Sequence, residues 1–184
     1  MTHPLSPFRF CPICGGQSFI ENNVKSMRCR NCGFVYYANP SSATAAFIVR
    51  GDQLLVARRG KEPAKGTLDL PGGFVDMYET AEQGMARELM EETGLQALNM
   101  QYLFSIPNIY RYSGMDIHTL DMFFLVDVAS DAEPRADDDA ASLQWIPISD
   151  LAPSLFGLHS ISQAVARFCT EKSTFLPHLQ GKDE

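Results

Sequence analysis

GGFVDMYETAEQGMARELMEETGL, Gly72 to Leu95, carries the signals of a bounded helix with an acidic face. Thr80 and Gln83 have the spacing of a capping box, in which a threonine hydroxyl and a glutamine three residues on satisfy each other's backbone donors. Gly94 stands where a helix ends in the left-handed conformation. The spacing therefore predicts a helix over Ala81–Thr93. With about 100° of rotation per residue, Glu92 falls about 40° to one side of Glu88 and Glu91 about 60° to the other. All three carboxylates share one face. Gly84 and Ala81 occupy the same arc one and two turns earlier, so the space in front of that face stays open, while Met85, Ala86, Leu89 and Met90 can meet a core.

Like charges three or four residues apart oppose helix formation. Arg87 can offset one glutamate and can itself be held by Glu79, which leaves Glu88 and Glu92 with no evident partner in the sequence. A hard divalent cation resolves the conflict, because Mg2+ takes oxygen ligands and combines one or two carboxylates with waters and phosphates. A solvated acidic helix face is the competing reading.

Around this helix, Ala45–Arg50 and Gln53–Arg58 flank Gly51–Asp52 as a hairpin. Thr67–Leu70 reads as a short strand stopped by Pro71-Gly72-Gly73. Gln101–Ile106, Thr119–Val128 and Leu143–Ile146 read as further strands, and Ser130–Ala141 as a polar loop. Ser160 and Gln163 repeat the capping-box spacing and predict a helix running to about Glu171. Strands and helices mix without βαβ alternation, which predicts a mixed-sheet α/β or α+β layer fold.

The first 39 residues differ in character. Cys11-x2-Cys14 and Cys29-x2-Cys32 form two knuckles whose four thiolates suit tetrahedral Zn2+. The segment is basic, with Arg9, Lys25, Arg28 and Arg30 against Glu21, in a chain of 184 residues whose net charge is −7. A boundary is expected near Pro40, giving a zinc ribbon over 1–39 and a second domain over 40–184. The ribbon is too small to bury a core of its own, so metal is expected to make its fold possible. Its basic residues could touch nucleic acid, although a structural role is the stronger expectation. Cys169 stands apart and reads as a small buried hydrophobe.

The hydrophobic fraction of 45% supports a real core. The acidic balance argues against a global nucleic-acid surface. The start of the chain lacks the charged-then-apolar pattern of a signal peptide, and no apolar run is long enough to span a bilayer. A cytoplasmic protein with reduced cysteines and no membrane partner is expected.

Gly73, then Glu79 after five residues, then Arg87-Glu88-Leu89-Met90-Glu91-Glu92-Thr93-Gly94-Leu95 after seven more, match the Nudix box at each specified position. The chain resembles the Nudix hydrolase family over roughly Ser41–Leu151. The resemblance implies an α/β/α sandwich with a mixed sheet and hydrolysis of a nucleoside diphosphate linked to another moiety. By position, Glu88, Glu92 and the Gly72 carbonyl would bind Mg2+ or Mn2+. Glu91 would serve as ligand or base, Arg87 would orient the glutamates, and Glu79 would hold Arg87. Asp139, in the Asp137–Asp139 loop six residues before Trp145, stands where similar proteins carry a further metal-binding Glu.

A ribbon ahead of such a domain looks like the NADH pyrophosphatase branch. That branch carries Ser-Gln-Pro-Trp-Pro-Phe where this chain has Ser105-Ile106-Pro107-Asn108-Ile109-Tyr110. Ser and Pro match; Gln and Trp do not. Tyr110 and Tyr112 remain able to stack on a base. The expected substrate is a small nucleotide such as ADP-ribose, NADH or FAD. The alternatives are clean-up of nucleoside triphosphates and a regulatory module that binds a nucleotide or RNA without cleaving it. The family resemblance also implies a homodimer.

Overall fold

Val49 pairs with Leu54 and Arg50 with Gln53 across the Gly51–Asp52 link. This is the two-residue hairpin expected from the sequence, and Gly51 supplies the positive φ, +60°, that such a turn requires. The structure is a computed structural model that describes residues 3–136 and 140–177. The chain separates into two units, Met1–Ser41 with Ile109–His118, and Ser42–Asn108 with Thr119–Glu184.

In the first unit, β1 (Phe19–Asn23), β2 (Ser26–Cys29) and β3 (Val35–Tyr37) form an antiparallel sheet in that order. Its buried apolar set is small: Leu5, Cys11, Phe19, Met27 and Cys29, with Phe34 and Ala38 packed at the side. Two of these buried residues are the candidate metal ligands themselves.

The larger sheet contains β4 (Ser41–Arg50), β5 (Gln53–Arg59), β6 (Leu68–Asp69) and β7 (Gly72–Phe74). After α1 (Ala81–Thr93) come β8 (Asn99–Tyr112), β9 (Met115–Asp127) and β10 (Ala140–Pro147), and α2 (His159–Phe175) closes the fold. The sheet is mixed, in the order β10-β5-β4-β9-β8, with β6 beside β5 and β7 beside β4.

Residues alternate along the central strands, and both faces are apolar. Phe47 on β4, Leu54 and Val56 on β5 and Phe123 on β9 pack with Ala164, Val165 and Phe168 of α2. Ala46, Ile48, Leu55 and Phe124 pack with Met85 and Leu89 of α1. A strand buried on both faces reads as a continuous hydrophobic run, which is why AAFIV and LLV show no polar alternation. The rings of Phe47 and Phe168 stack at 4.2 Å and 7°. The result is the expected α/β/α sandwich with a mixed sheet.

Helix α1 follows its sequence signals. Thr80 Oγ1 accepts from Gln83 N–H, the Gln83 side chain accepts from Thr80 N–H, and Gly94 ends the helix at φ +68°. Two expectations need correction. Ser160 does not cap α2, which begins at His159 with no side-chain cap. Its hydroxyl is fully buried and donates instead to Asp121 Oδ2 at 2.5 Å, where Asn108 Nδ2 also donates. A buried carboxylate without charge-assisted donors is costly, and that demand wins over the local cap. The β8–β9 hairpin is also longer than expected. Pro107 lies inside β8, which tolerates it because β8 is an edge strand, and Ser113 and Gly114 turn the chain at φ +50° and +79°. Among the described residues, no helix is long and apolar enough to cross a membrane.

Candidate functional site

Strand β7 carries Gly72 and Gly73 to the edge of α1. It pairs antiparallel with β4, placing Ala45 opposite Gly72, Thr44 opposite Gly73 and Ala43 opposite Phe74. At Gly73 the fit against the helix is close. A Cβ added there would lie 2.5 Å from Glu88 Oε1 and 2.6 Å from Oε2. Gly72 is held by the backbone instead: its φ is +151°, and a Cβ would come 2.1 Å from the Thr44 carbonyl oxygen. Its N–H donates to Glu92 Oε2 at 3.0 Å. The two glycines thus bring backbone up to two of the three carboxylates.

Arg87 organises the rest. Its Nε and Nη2 donate to the two oxygens of Glu79 at 2.9 and 3.0 Å, a forked pair. Its Nη1 donates to Glu88 Oε1 at 2.8 Å and to Glu91 Oε2 at 2.9 Å, and Nη2 also reaches the Phe74 carbonyl. The hydrogen bonds to Glu79 lead in holding the Arg87 proton more tightly than usual. In return, Arg87, and then the Asp76 N–H, hold Glu79 below the ordinary carboxylate range. The sequence suggested that Arg87 offsets one glutamate and leaves Glu88 without a partner. In the structure it serves Glu79, Glu88 and Glu91 together, and Glu92 takes the Gly72 N–H. Glu92 is buried, at 9% exposure, whereas Glu91 is exposed.

The donor set suits a hard divalent cation: carboxylates on one helix face, a backbone turn beside them, and glycines that keep side chains out. Two substitutions at the glycines separate positioning from folding. Gly73→Ala meets the mobile end of a side chain, so it is expected to push the Glu88 carboxylate aside, with little change in Tm. A displacement of that size costs about a hundredfold in turnover at a positioned site. Gly72→Ala meets β4 backbone at a φ that L residues rarely adopt, and is expected to destabilise the fold by about 3 kcal/mol. Thermal denaturation alongside hydrolysis rates distinguishes the two.

Asp139 lies outside the described residues. The chain leading toward it is anchored, since Arg135 N–H donates to the Thr93 carbonyl at the end of α1 at 2.9 Å. Arg50, on β4, donates to the Ala132 carbonyl and stacks over Trp145, 4.4 Å from the ring centre. Nothing local in the sequence signals these Arg50 contacts, because they join residues distant in the chain.

In the first unit the four cysteines come together. Their Sγ atoms all lie within 4.8 Å of one another, with Cys11–Cys32 at 3.7 Å and Cys14–Cys29 at 3.6 Å. A tetrahedron with Zn–S bonds of about 2.3 Å has edges of about 3.8 Å, so the group fits. Each knuckle closes in the same way: Gly15 N–H donates to the Cys11 carbonyl and Gly33 N–H to the Cys29 carbonyl, both at 2.9 Å. The Cys32 and Asn31 N–H groups and the neighbouring thiols favour the Cys29 thiolate, lowering that thiol to about 7. Among the described residues all five cysteines are free thiols. Burial pushes the Cys169 thiol up, as befits a residue packed against the core.

Tyr110 and Tyr112 stand two apart on β8, their rings stacked at 6.4 Å and 22°. Both fall in the first unit, with the cysteines, while the glutamates belong to the second.

The family model described as NUDIX domain matches residues 39–168. An NAD-capped RNA hydrolase NudC from Vibrio parahaemolyticus is 30% identical over 151 residues, covering 82% of this chain and 55% of the relative. The chain thus spans about half the length of the curated relatives it matches. A NUDIX hydrolase from Nitrosomonas europaea is similar in structure, with a TM-score of 0.71 at 20% identity, covering 91% of this chain and 93% of the other. A MutT NUDIX hydrolase from Burkholderia pseudomallei gives a TM-score of 0.60 at 28% identity, covering 70% and 97%.

Proposed function

From the premise that the chain belongs to the Nudix family, we propose that it hydrolyses the pyrophosphate bond of a nucleoside diphosphate linked to another moiety. The products are a nucleoside monophosphate and a phosphorylated X. The observation that carries this reading is the constellation at α1, in which Arg87 gathers Glu79, Glu88 and Glu91 while Glu92 rests on the Gly72 N–H.

Glu88, Glu92 and the Gly72 carbonyl would hold Mg2+ or Mn2+, with Asp139 a further ligand by its position in the family's pattern. When bound, such a cation neutralises phosphate oxygens and lowers the pKa of a coordinated water. The residues of the chain supply the rest. Arg87 fixes the Glu88 and Glu91 rotamers, so that little reorganisation is needed when substrate arrives. Glu91, the exposed carboxylate, would be a further ligand or would accept the proton of the attacking water. Gly73 leaves room for the Glu88 carboxylate, which any side chain there would push aside.

Tyr110 and Tyr112 offer stacking surfaces for a base. The N-terminal residues 1–39 would form a structural zinc ribbon on Cys11, Cys14, Cys29 and Cys32, ahead of the domain over 40–184. A homodimer and a cytoplasmic location complete the reading. The substrate we favour is a small nucleotide such as NADH, ADP-ribose or FAD, and the names of the NudC relatives add NAD-capped RNA to the candidates.

The test is a substrate panel of ADP-ribose, NADH, FAD, NAD-capped RNA and dNTPs with Mg2+ or Mn2+. A nucleoside monophosphate plus a phosphorylated partner is the expected product pair. Monophosphate plus pyrophosphate from a dNTP would instead favour triphosphate clean-up. Tight binding of a nucleotide or RNA with no turnover of any compound would favour the regulatory module.

A further inference from the structure

Thr44 is 3% exposed, and its Oγ1 is buried with no hydrogen-bond partner among the described residues. A hydroxyl enclosed in this way is costly, and valine would fill the same space without that cost. The neighbours of Thr44 on β4 are apolar: Ala43, Ala45, Ala46 and Phe47. Thr44 lies directly opposite Gly73, and directly opposed residues of an antiparallel pair point to the same face. At Gly73 that face leads straight to the Glu88 carboxylate. Two and four residues on, Ala46 and Ile48 pack with Met85 and Leu89 of the same helix. The hydroxyl therefore sits where the apolar layer beneath α1 gives way to its glutamates. Opposed Cβ positions are about 4.5–5.5 Å apart, and the Glu88 carboxylate lies against the Gly73 position, so a side-chain rotation brings hydroxyl and carboxylate within hydrogen-bond reach.

We propose that Thr44 is a positioning residue whose hydroxyl donates to the Glu88 carboxylate and steadies it in its cation-holding position. The inference rests on the glutamate site described above and adds to it a residue outside the helix and its preceding loop. The proposal explains why a strand that is apolar on both faces carries a hydroxyl at this one buried position. No proton changes hands in this role. Thr44 acts on the reaction only through Glu88.

Thr44→Val and Thr44→Ser in the full chain test it, with Mn2+ binding followed by titration calorimetry in the absence of nucleotide. Thr44→Val is expected to weaken Mn2+ binding about fivefold to tenfold. It should lower kcat by a similar factor and leave KM within twofold. Thr44→Ser, which keeps the hydroxyl, should restore both to within twofold. The metal-free Tm of the valine variant should equal or exceed that of the wild type, which separates positioning from packing. Unchanged Mn2+ affinity in Thr44→Val, with Glu92→Gln binding weakly in the same assay, overturns the proposal and spares the glutamate site. Wild-type protein that takes up no Mn2+ overturns both. If Thr44→Val is poorly folded, Thr44→Ala replaces it under the same expectations.

Discussion

Glu92→Gln is expected to lower kcat by about a thousandfold, on the scale seen when one electrostatic stabiliser of a transition state is removed. The substitution is nearly isosteric, and a glutamine oxygen can still accept the Gly72 N–H that now reaches Glu92 at 3.0 Å. The fold has no reason to change. What is lost is a buried negative charge at 9% exposure, one helical turn from Glu88. Removing it relieves like-charge repulsion at i and i+4, so the metal-free Tm should hold steady or rise. The combination of lost turnover, weakened Mn2+ binding and retained Tm is the signature of a cation ligand. A solvated acidic face predicts the reverse, with turnover untouched. Activity within twofold of wild type on whichever compound is cleaved would remove Glu92 from the site.

The second large effect is expected in the first unit. Cys29→Ser should abolish stoichiometric zinc and unfold β1–β3 while leaving the larger sheet intact. Cys29 is fully buried and belongs to an apolar set of five residues that includes Cys11. So small a core cannot offset the entropy of ordering its chain. A structural zinc contributes an apparent 10–16 kcal/mol in comparable peptides, which is enough to decide whether the segment folds. Metal analysis of the purified chain, with hydrogen exchange at the β1–β3 amides, checks this directly. Full protection of those amides in a zinc-free variant would show that the cysteines need no metal. The larger sheet buries Phe47, Phe123, Phe124 and Phe168 independently, so its amides should stay protected in either case.

Helix α1 was legible because its signals are local. A capping box, an apolar face and a terminal glycine sit within one short stretch, and the helix begins and ends as they dictate. The same signal misled at Ser160, where a buried carboxylate 39 residues away claims the hydroxyl. The length of β8 was hidden for a related reason. Proline reads as a break, yet an edge strand needs no N–H there, and only the sheet order reveals that β8 is an edge. At the site, residue types and spacing located the carboxylates and the cysteine knuckles. They did not reveal that one guanidinium serves Glu79, Glu88 and Glu91, nor that Gly73 lies under Glu88, since both depend on how β7 meets the helix. The role of Asp139 and the partnership of Tyr110 and Tyr112 with substrate rest on the proposed function.

Arg87 carries a further implication. The acidic helix already contains its own covalently tethered counterion, so it does not depend on a solute ion to become ordered. The cysteine cluster has no such tether. One polypeptide therefore holds two opposite answers to crowded anionic ligands, and a strong chelator should tell them apart. Stripping ions from the glutamates would silence the chain reversibly, and adding Mg2+ back would revive it at once. Stripping the thiolates would cost the ribbon its shape, and recovery would have to wait for refolding.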